Sequence, residues 1–180
     1  MDMRTDWNEN RALLRGTVLA APELSHETHG VVYERFPLAV RRLSGSEDRI
    51  NVLAARALLE ACPVAPGAEL EVEGEVRSFN NKSGYGSRLV ITLHARALRP
   101  GEGGHENRLV LAGSLCKPPV FRRTPLGREI CDLMLAVNRR YGRADYLPCI
   151  AWGALARCCA QLSVGDGVRL EGRLQSRGYT

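Results

Sequence analysis

The chain has 180 residues, 44% of them hydrophobic, with a net charge of +5. That length allows one large domain or two small ones with modest cores. No stretch approaches the ~18 apolar residues of a membrane span, and the start, Met1-Asp2-Met3-Arg4-Thr5-Asp6, has no apolar signal core. A soluble, cytoplasmic protein with no membrane association is therefore expected.

Arg11 to Leu19 and Val31 to Arg42 read as the first two strands. A polar turn, Ser44-Gly45-Ser46-Glu47, leads to a third, Asp48 to Ala55. A short helix from Arg56 to Ala61 precedes the breakers Pro63, Pro66 and Gly67. Glu69-Leu70-Glu71-Val72-Glu73-Gly74-Glu75-Val76 alternates strictly, the period of a strand with one buried face. A turn rich in Asn and Gly, Asn80 to Gly84, precedes a fifth strand, Arg88 to Ala97. Three strands, a helix and two strands is the order of an OB-fold, a five-stranded Greek-key barrel that binds oligonucleotides on one sheet face.

Residues 99–106 read as a short linker, flexible by composition. The pattern then recurs: strands Arg108 to Leu115, Glu129 to Arg139 and Tyr146 to Trp152, a helix from Ala154 to Leu162, a turn at Gly165-Asp166-Gly167, and a strand from Val168 to Arg177. Thr180 falls at the turn after the fourth strand, so this second barrel lacks its last strand; either the chain is a shortened version of a longer protein, which is the expectation, or another chain supplies the strand. The residues themselves repeat. Asn10-Arg11 through Gly16 recurs 97 positions later as Asn107-Arg108 through Gly113, and Leu38-Ala39-Val40 as Leu135-Ala136-Val137. Val72-Glu73-Gly74 matches Leu170-Glu171-Gly172 at an offset of 98. A period near 100 suits two copies of a small domain. The expectation is an all-β protein of two tandem OB-folds, residues 8–98 and 107–180.

Charge separates the copies. Residues 1–105 hold 13 Lys/Arg against 14 Asp/Glu, whereas residues 106–180 hold 12 against 6. A basic second half suggests an anionic partner, most commonly nucleic acid. The six cysteines form no C-x-x-C pair, and Cys158-Cys159 are vicinal, which suits neither tetrahedral zinc nor a disulfide framework. They read as reduced thiols. The four histidines are scattered, and no metal site or cofactor is expected. Nuclease chemistry needs clustered carboxylates, and the six acids of the second half are dispersed, so no catalytic residues are assigned.

Sequence-tolerant binding of single strands needs cations along the phosphates and flat rings on which bases stack. Copy two offers Tyr141, Tyr146, Trp152 and Tyr179 as rings. Its candidate phosphate contacts are Arg122, Arg123, Arg139, Arg140, Arg143, Arg169, Arg173 and Arg177. Tyr146 and Trp152 lie six apart on one strand, an even spacing that points both to one face. Where copy two has those two rings, copy one has Arg49 and Ala55. Copy one has only Phe79 and Tyr85 as stacking candidates near its fourth-strand turn, so weak binding or a packing role is expected of it.

Copy two resembles the bacterial single-stranded DNA-binding protein family and, through that fold, the related primosomal PriB proteins. The resemblance is carried by Asn107 through Gly113, Arg123-Thr124-Pro125-Leu126-Gly127, Leu135 through Arg139, Tyr146 through Ala156, and Gly165 through Leu174. Copy one resembles the same family more faintly. The resemblance implies base stacking on Tyr141, Tyr146, Trp152 and Tyr179. It implies a single-stranded DNA-binding protein of replication, recombination or repair, associated with the nucleoid, and a homodimer that gathers four OB-folds. RNA is an alternative ligand. The family's acidic tail, which recruits replication proteins, is not found in this sequence. The second reading is a PriB-like adaptor for replication restart that acts mainly through protein contacts.

Overall fold

A computed structural model describes residues 9–80, 89–139 and 142–176. They fall into two compact units, one made of the described residues within 11–110 and 171–176, the other of those within 9–10 and 111–170.

In the first unit β1 (Asn10–Val18), β2 (Glu23–Thr28), β3 (Val31–Arg41), β4 (Glu47–Ala55), α1 (Arg56–Ala61), β5 (Glu69–Asn80) and β6 (Leu89–Pro100) follow in order. β1 pairs β5 antiparallel and bends onto β3 at Thr17 and Val18. β4 pairs β3 antiparallel and β6 parallel, and β6 pairs β5. Alternation supplies the core: Leu14, Phe36, Leu38, Val52, Val72 and Leu93 have no exposed surface. Gly16 permits the bend of β1, because a Cβ there would lie 2.3 Å from the Ala39 carbonyl oxygen.

The second unit contains β7 from residue 111 (the strand is Glu106–Leu115), then β8 (Val120–Arg123), β9 (Glu129–Asn138), β10 (Ala144–Trp152) and α2 (Ala154–Cys159), with β11 (Gly167–Gly172) as far as residue 170. The repeat holds at the level of strand register. Thr17↔Ala39 recurs as Ser114↔Ala136, and Arg41↔Glu47 recurs as Asn138↔Ala144. A Cβ on Gly113 would lie 2.4 Å from the Ala136 carbonyl oxygen, as at Gly16.

Each copy also clamps the turn of its long hairpin with an arginine and a buried aspartate. Arg42 donates to Asp48 at 2.8 and 2.5 Å, and Arg139 to Asp145 at the same two distances. Asp48 and Asp145 are 0% and 1% exposed. A buried carboxylate is tolerated only with such partners.

Several features differ from the sequence reading. β2 was not expected; it forms a hairpin with β3 through His29 and Gly30, both at positive φ, as a tight two-residue turn requires. The short strand β8 was also not expected. α2 stops three residues early, because Gln161 and Leu162 donate to the carbonyls of Cys158 and Cys159, three residues back, which tightens the last turn. β11 ends at Gly172, after which the Asn107 side chain holds Leu174 by two hydrogen bonds of 2.8 and 2.9 Å.

The linker is not free. β6 runs on to Pro100, Gly101 donates to the Glu69 carbonyl, and Arg15 donates to the Gly104 carbonyl at 2.8 Å. The His105 Nδ1 accepts the Arg41 backbone N–H at 2.9 Å, and its Nε2 lies 3.1 Å from Glu69. Polar side chains of β1 and β5 thus supply partners that glycine-rich composition does not reveal.

Asp48 sets an acid limit on stability. Burial opposes its ionisation, but the Arg42 hydrogen bonds, the Ser176 backbone N–H at 3.1 Å and the charges of Arg42 and Arg173 outweigh it, holding the carboxyl below its usual range. A carboxylate depressed in the folded state stabilises above its unfolded pKa of about 4, and that contribution is lost as pH falls through the folded value. Asp48→Asn should cost about 3 kcal/mol at pH 7 and should flatten the loss of stability below pH ~4. Urea titrations of both proteins from neutral to acid pH check this.

Candidate nucleic-acid interface

β10 alternates as its sequence predicts. Asp145 and Leu147 point inward, while Tyr146 and Trp152 are 50% and 44% exposed. Pro148 is exposed between them, and Ile150 is half-buried. Among the described residues β10 pairs β9 alone, so Pro148 occupies an edge strand, where its missing N–H is tolerated.

The registers extend this face across three strands. Tyr146 lies opposite Ala136, Pro148 opposite Met134, Ile150 opposite Asp132, and Trp152 opposite Ile130. β8 adds Val120 beside Asp132 and Arg122 beside Ile130. Two exposed rings therefore flank an apolar strip of Pro148, Met134 and Ile150, and six residues of strand set them about 20 Å apart. A strip of this kind accepts flat, apolar surfaces of any identity. Met134, Pro148 and Ile150 escaped the sequence reading because apolar residues on a strand read as core.

The arginines expected at the site are mostly engaged by acids close at hand. Arg122 donates to Asp132 at 2.7 Å, which raises its pKa above the ordinary arginine value. Arg123 and Arg157 both reach Glu129, at 3.5 and 3.0 Å, and Arg169 reaches Glu9 at 3.1 Å. Arg139 is held by its hydrogen bonds to Asp145, with a side chain only 23% exposed. Arg143 is exposed beside Tyr146's strand, and Arg173, exposed, belongs to the other unit, where its charge acts on Asp48. Tyr141, Arg140, Arg177 and Tyr179 lie outside the described residues, as does Tyr85 of copy one. The structure thus brings Tyr146, Trp152 and Arg122 onto one face, with Arg123 next to Arg122 on β8.

Residues 106–180 match the profile of the Single-strand binding protein family. The single-stranded DNA-binding protein of Thermus aquaticus is 28% identical over 202 aligned positions, covering 95% of this chain and 76% of that protein. Its wild-type crystal structure is similar to this one with a TM-score of 0.78 at 28% identity, over 93% of this chain and 85% of that chain. The chain is thus similar to the single-strand binding protein family over residues 106–180, and to the Thermus protein over most of its length. Single-stranded DNA-binding protein A of Bacillus subtilis is 39% identical over 80 residues, 41% of this chain and 46% of that protein. The similarity to the Thermus structure spans both copies, so this chain is built from tandem OB-folds.

Thiols lie behind the exposed face. Cys131, with Cys149 and Cys159 packed against it, belongs to a cluster with Leu115, Leu133 and Ala156. Burial pushes the Cys149 thiol up to about 12 and raises Cys131 and Cys159 as well, so all three act as apolar packing groups. No group of three His, Cys, Asp or Glu side chains among the described residues could hold a metal ion. Iodoacetamide at pH 7.4 should therefore modify exposed Cys158 at least about tenfold faster than Cys131 or Cys149 in the folded protein. Peptide mapping across a labelling time course reads the order.

Proposed function

We propose that this protein binds single-stranded DNA without strong sequence preference, by stacking bases on Tyr146 and Trp152. The observation that carries the reading is the exposure of both rings on one face of β10, joined by an apolar strip. Burying bases against that strip favours binding whatever the sequence, because every base offers a π-face. Arg122, Arg123, Arg139, Arg143, Arg169 and Arg173 supply positive potential along the phosphates, and Tyr141, Arg140, Arg177 and Tyr179 complete the set. Where an arginine is already paired, a phosphate must compete with its acid. The proteins that align with most of this chain are named single-stranded DNA-binding proteins, which favours this reading over a PriB-like adaptor. It places the protein in replication, recombination or repair, working with the nucleoid in the cytoplasm as a homodimer of four OB-folds, with residues 8–98 and 107–180 as its domains. Single-stranded RNA is a further ligand of the same chemistry, and replication proteins are its further partners.

The chain contains Trp7 as well as Trp152, so fluorescence is read in a Trp7→Phe background. Oligo-dT should quench Trp152, with affinity falling steeply as salt rises, by a slope of about −0.7 per phosphate neutralised. Trp152→Ala and Tyr146→Ala should each weaken binding by about 1–3 kcal/mol. Filter binding of labelled oligo-dT reads the same losses without fluorescence. Unchanged affinity in the double variant would discard the stacking face.

Asp132 supplies a separate check. It places a negative charge in the middle of the face and occupies Arg122. Asp132→Asn should strengthen oligo-dT binding several-fold at low salt, and the gain should shrink as screening increases.

A further inference from the structure

The last row of the β9–β10 hairpin pairs Ile130 with Trp152. The same row of copy one, 97 residues earlier in both strands, pairs Tyr33 with Ala55. Both copies therefore place one large ring on this row. In copy two it stands on the second strand of the hairpin, in copy one on the first. A comparison of Ala55 with Trp152 alone misses it, because the ring has moved across the strand pair.

Tyr33 does not belong to the core. It is half-buried, and the inward positions of its strand are filled by Phe36, Leu38 and Val40. Two further rings meet it from neighbouring strands. His26 of β2 stacks on it with centroids 5.1 Å apart and planes 21° apart. His94 of β6 meets it edge-on at 5.3 Å and 76°. Every residue of β2 is exposed, so that strand adds nothing to the core, and what it carries to the sheet face is His26. Beside the rings, Ala55 projects only a methyl group, which leaves room for a flat ligand where Trp152 stands in copy two. Arg35, lying next to Tyr33 on the same face, and Arg49 farther along β4 are both exposed. Glu23 lies opposite Arg35 and Glu27 opposite Val32, so phosphate attraction here is weaker than in copy two and stacking must dominate.

We propose that Tyr33, flanked by His26 and His94, is a second base-stacking site, on copy one, that takes an unpaired nucleobase with Arg35 beside its phosphate. The proposal rests on the reading of the protein as a single-strand binder and extends it to the copy that lacks Trp152 and Tyr146 equivalents. Copy one is then a working surface for longer strands and not only a packing partner.

The test uses the 180-residue chain with Trp7→Phe, so that Trp152 reports copy two. Oligo-dT of about 8 nucleotides should occupy one barrel, and oligo-dT of about 30 nucleotides should occupy both. Combining Tyr33→Leu with His26→Ala should leave Trp152 quenching by the short oligonucleotide unchanged. The same pair should weaken binding of the long one about tenfold and reduce the nucleotides covered per chain. Tyr33→Leu keeps an apolar side chain, and unaltered circular dichroism confirms folding. Independently of any variant, a long oligonucleotide carrying 5-iodouracil should photo-crosslink to Tyr33 or His26 in the unsubstituted protein. Unchanged long-strand affinity together with crosslinks confined to copy two overturns the proposal while leaving the Trp152 site standing. Loss of Trp152 quenching at every length overturns the single-strand reading itself, and this site with it.

Discussion

The register of two antiparallel hairpins, β3–β4 and β9–β10, decides which side chains leave the core, because a strand's side chains alternate and a slip of one residue inverts both faces. Such a slip in β10 would bury Tyr146 and expose Leu147. The Arg42–Asp48 and Arg139–Asp145 pairs sit at the turn that closes each hairpin, with both carboxylates sealed from solvent. A buried carboxylate left without its arginine is strongly unfavourable, so registers that separate the partners are disfavoured more than hydrophobic pattern alone would achieve. Gly16 and Gly113 act in the same sense, since no other residue fits where β1 and β7 approach the carbonyls of Ala39 and Ala136.

Strands with one wet face and one dry face were legible in the sequence. Glu69 to Val76 alternates without exception, and the even spacing of Tyr146 and Trp152 located the exposed face of β10. Strands exposed along their whole length were not legible. Every residue of β2 and β8 faces solvent at least in part, so neither carries an alternating pattern. Their positions are fixed by backbone pairing with the next strands, β3 and β9, and not by any burial of their own side chains. The partner of Arg139 could have been found, because Arg42 and Asp48 recur at the same spacing as Arg139 and Asp145. Tyr33 could not be found by matching copies position by position; only the row-by-row register shows that it stands across from the Trp152 equivalent.

The charge of the second half acts differently from the way its total suggests. Twelve Lys/Arg against six Asp/Glu give residues 106–180 a net +6, yet Arg122, Arg123, Arg139, Arg157 and Arg169 already have acidic partners. Net charge still draws a polyanion toward the surface over a Debye length, which governs encounter. Contact is another matter, since each phosphate that takes one of these guanidinium groups must displace a carboxylate.

Trp152 is followed at once by Gly153, whose φ of 62° and ψ of −128° other residues rarely adopt, and whose N–H is tied to the Glu129 carbonyl at 3.0 Å. The backbone that carries the indole is therefore held on both sides, by the β9 ladder before it and by this tied glycine after it. An incoming nucleotide then meets a surface whose backbone is already ordered, and the entropy lost on association falls mainly on the flexible strand of DNA.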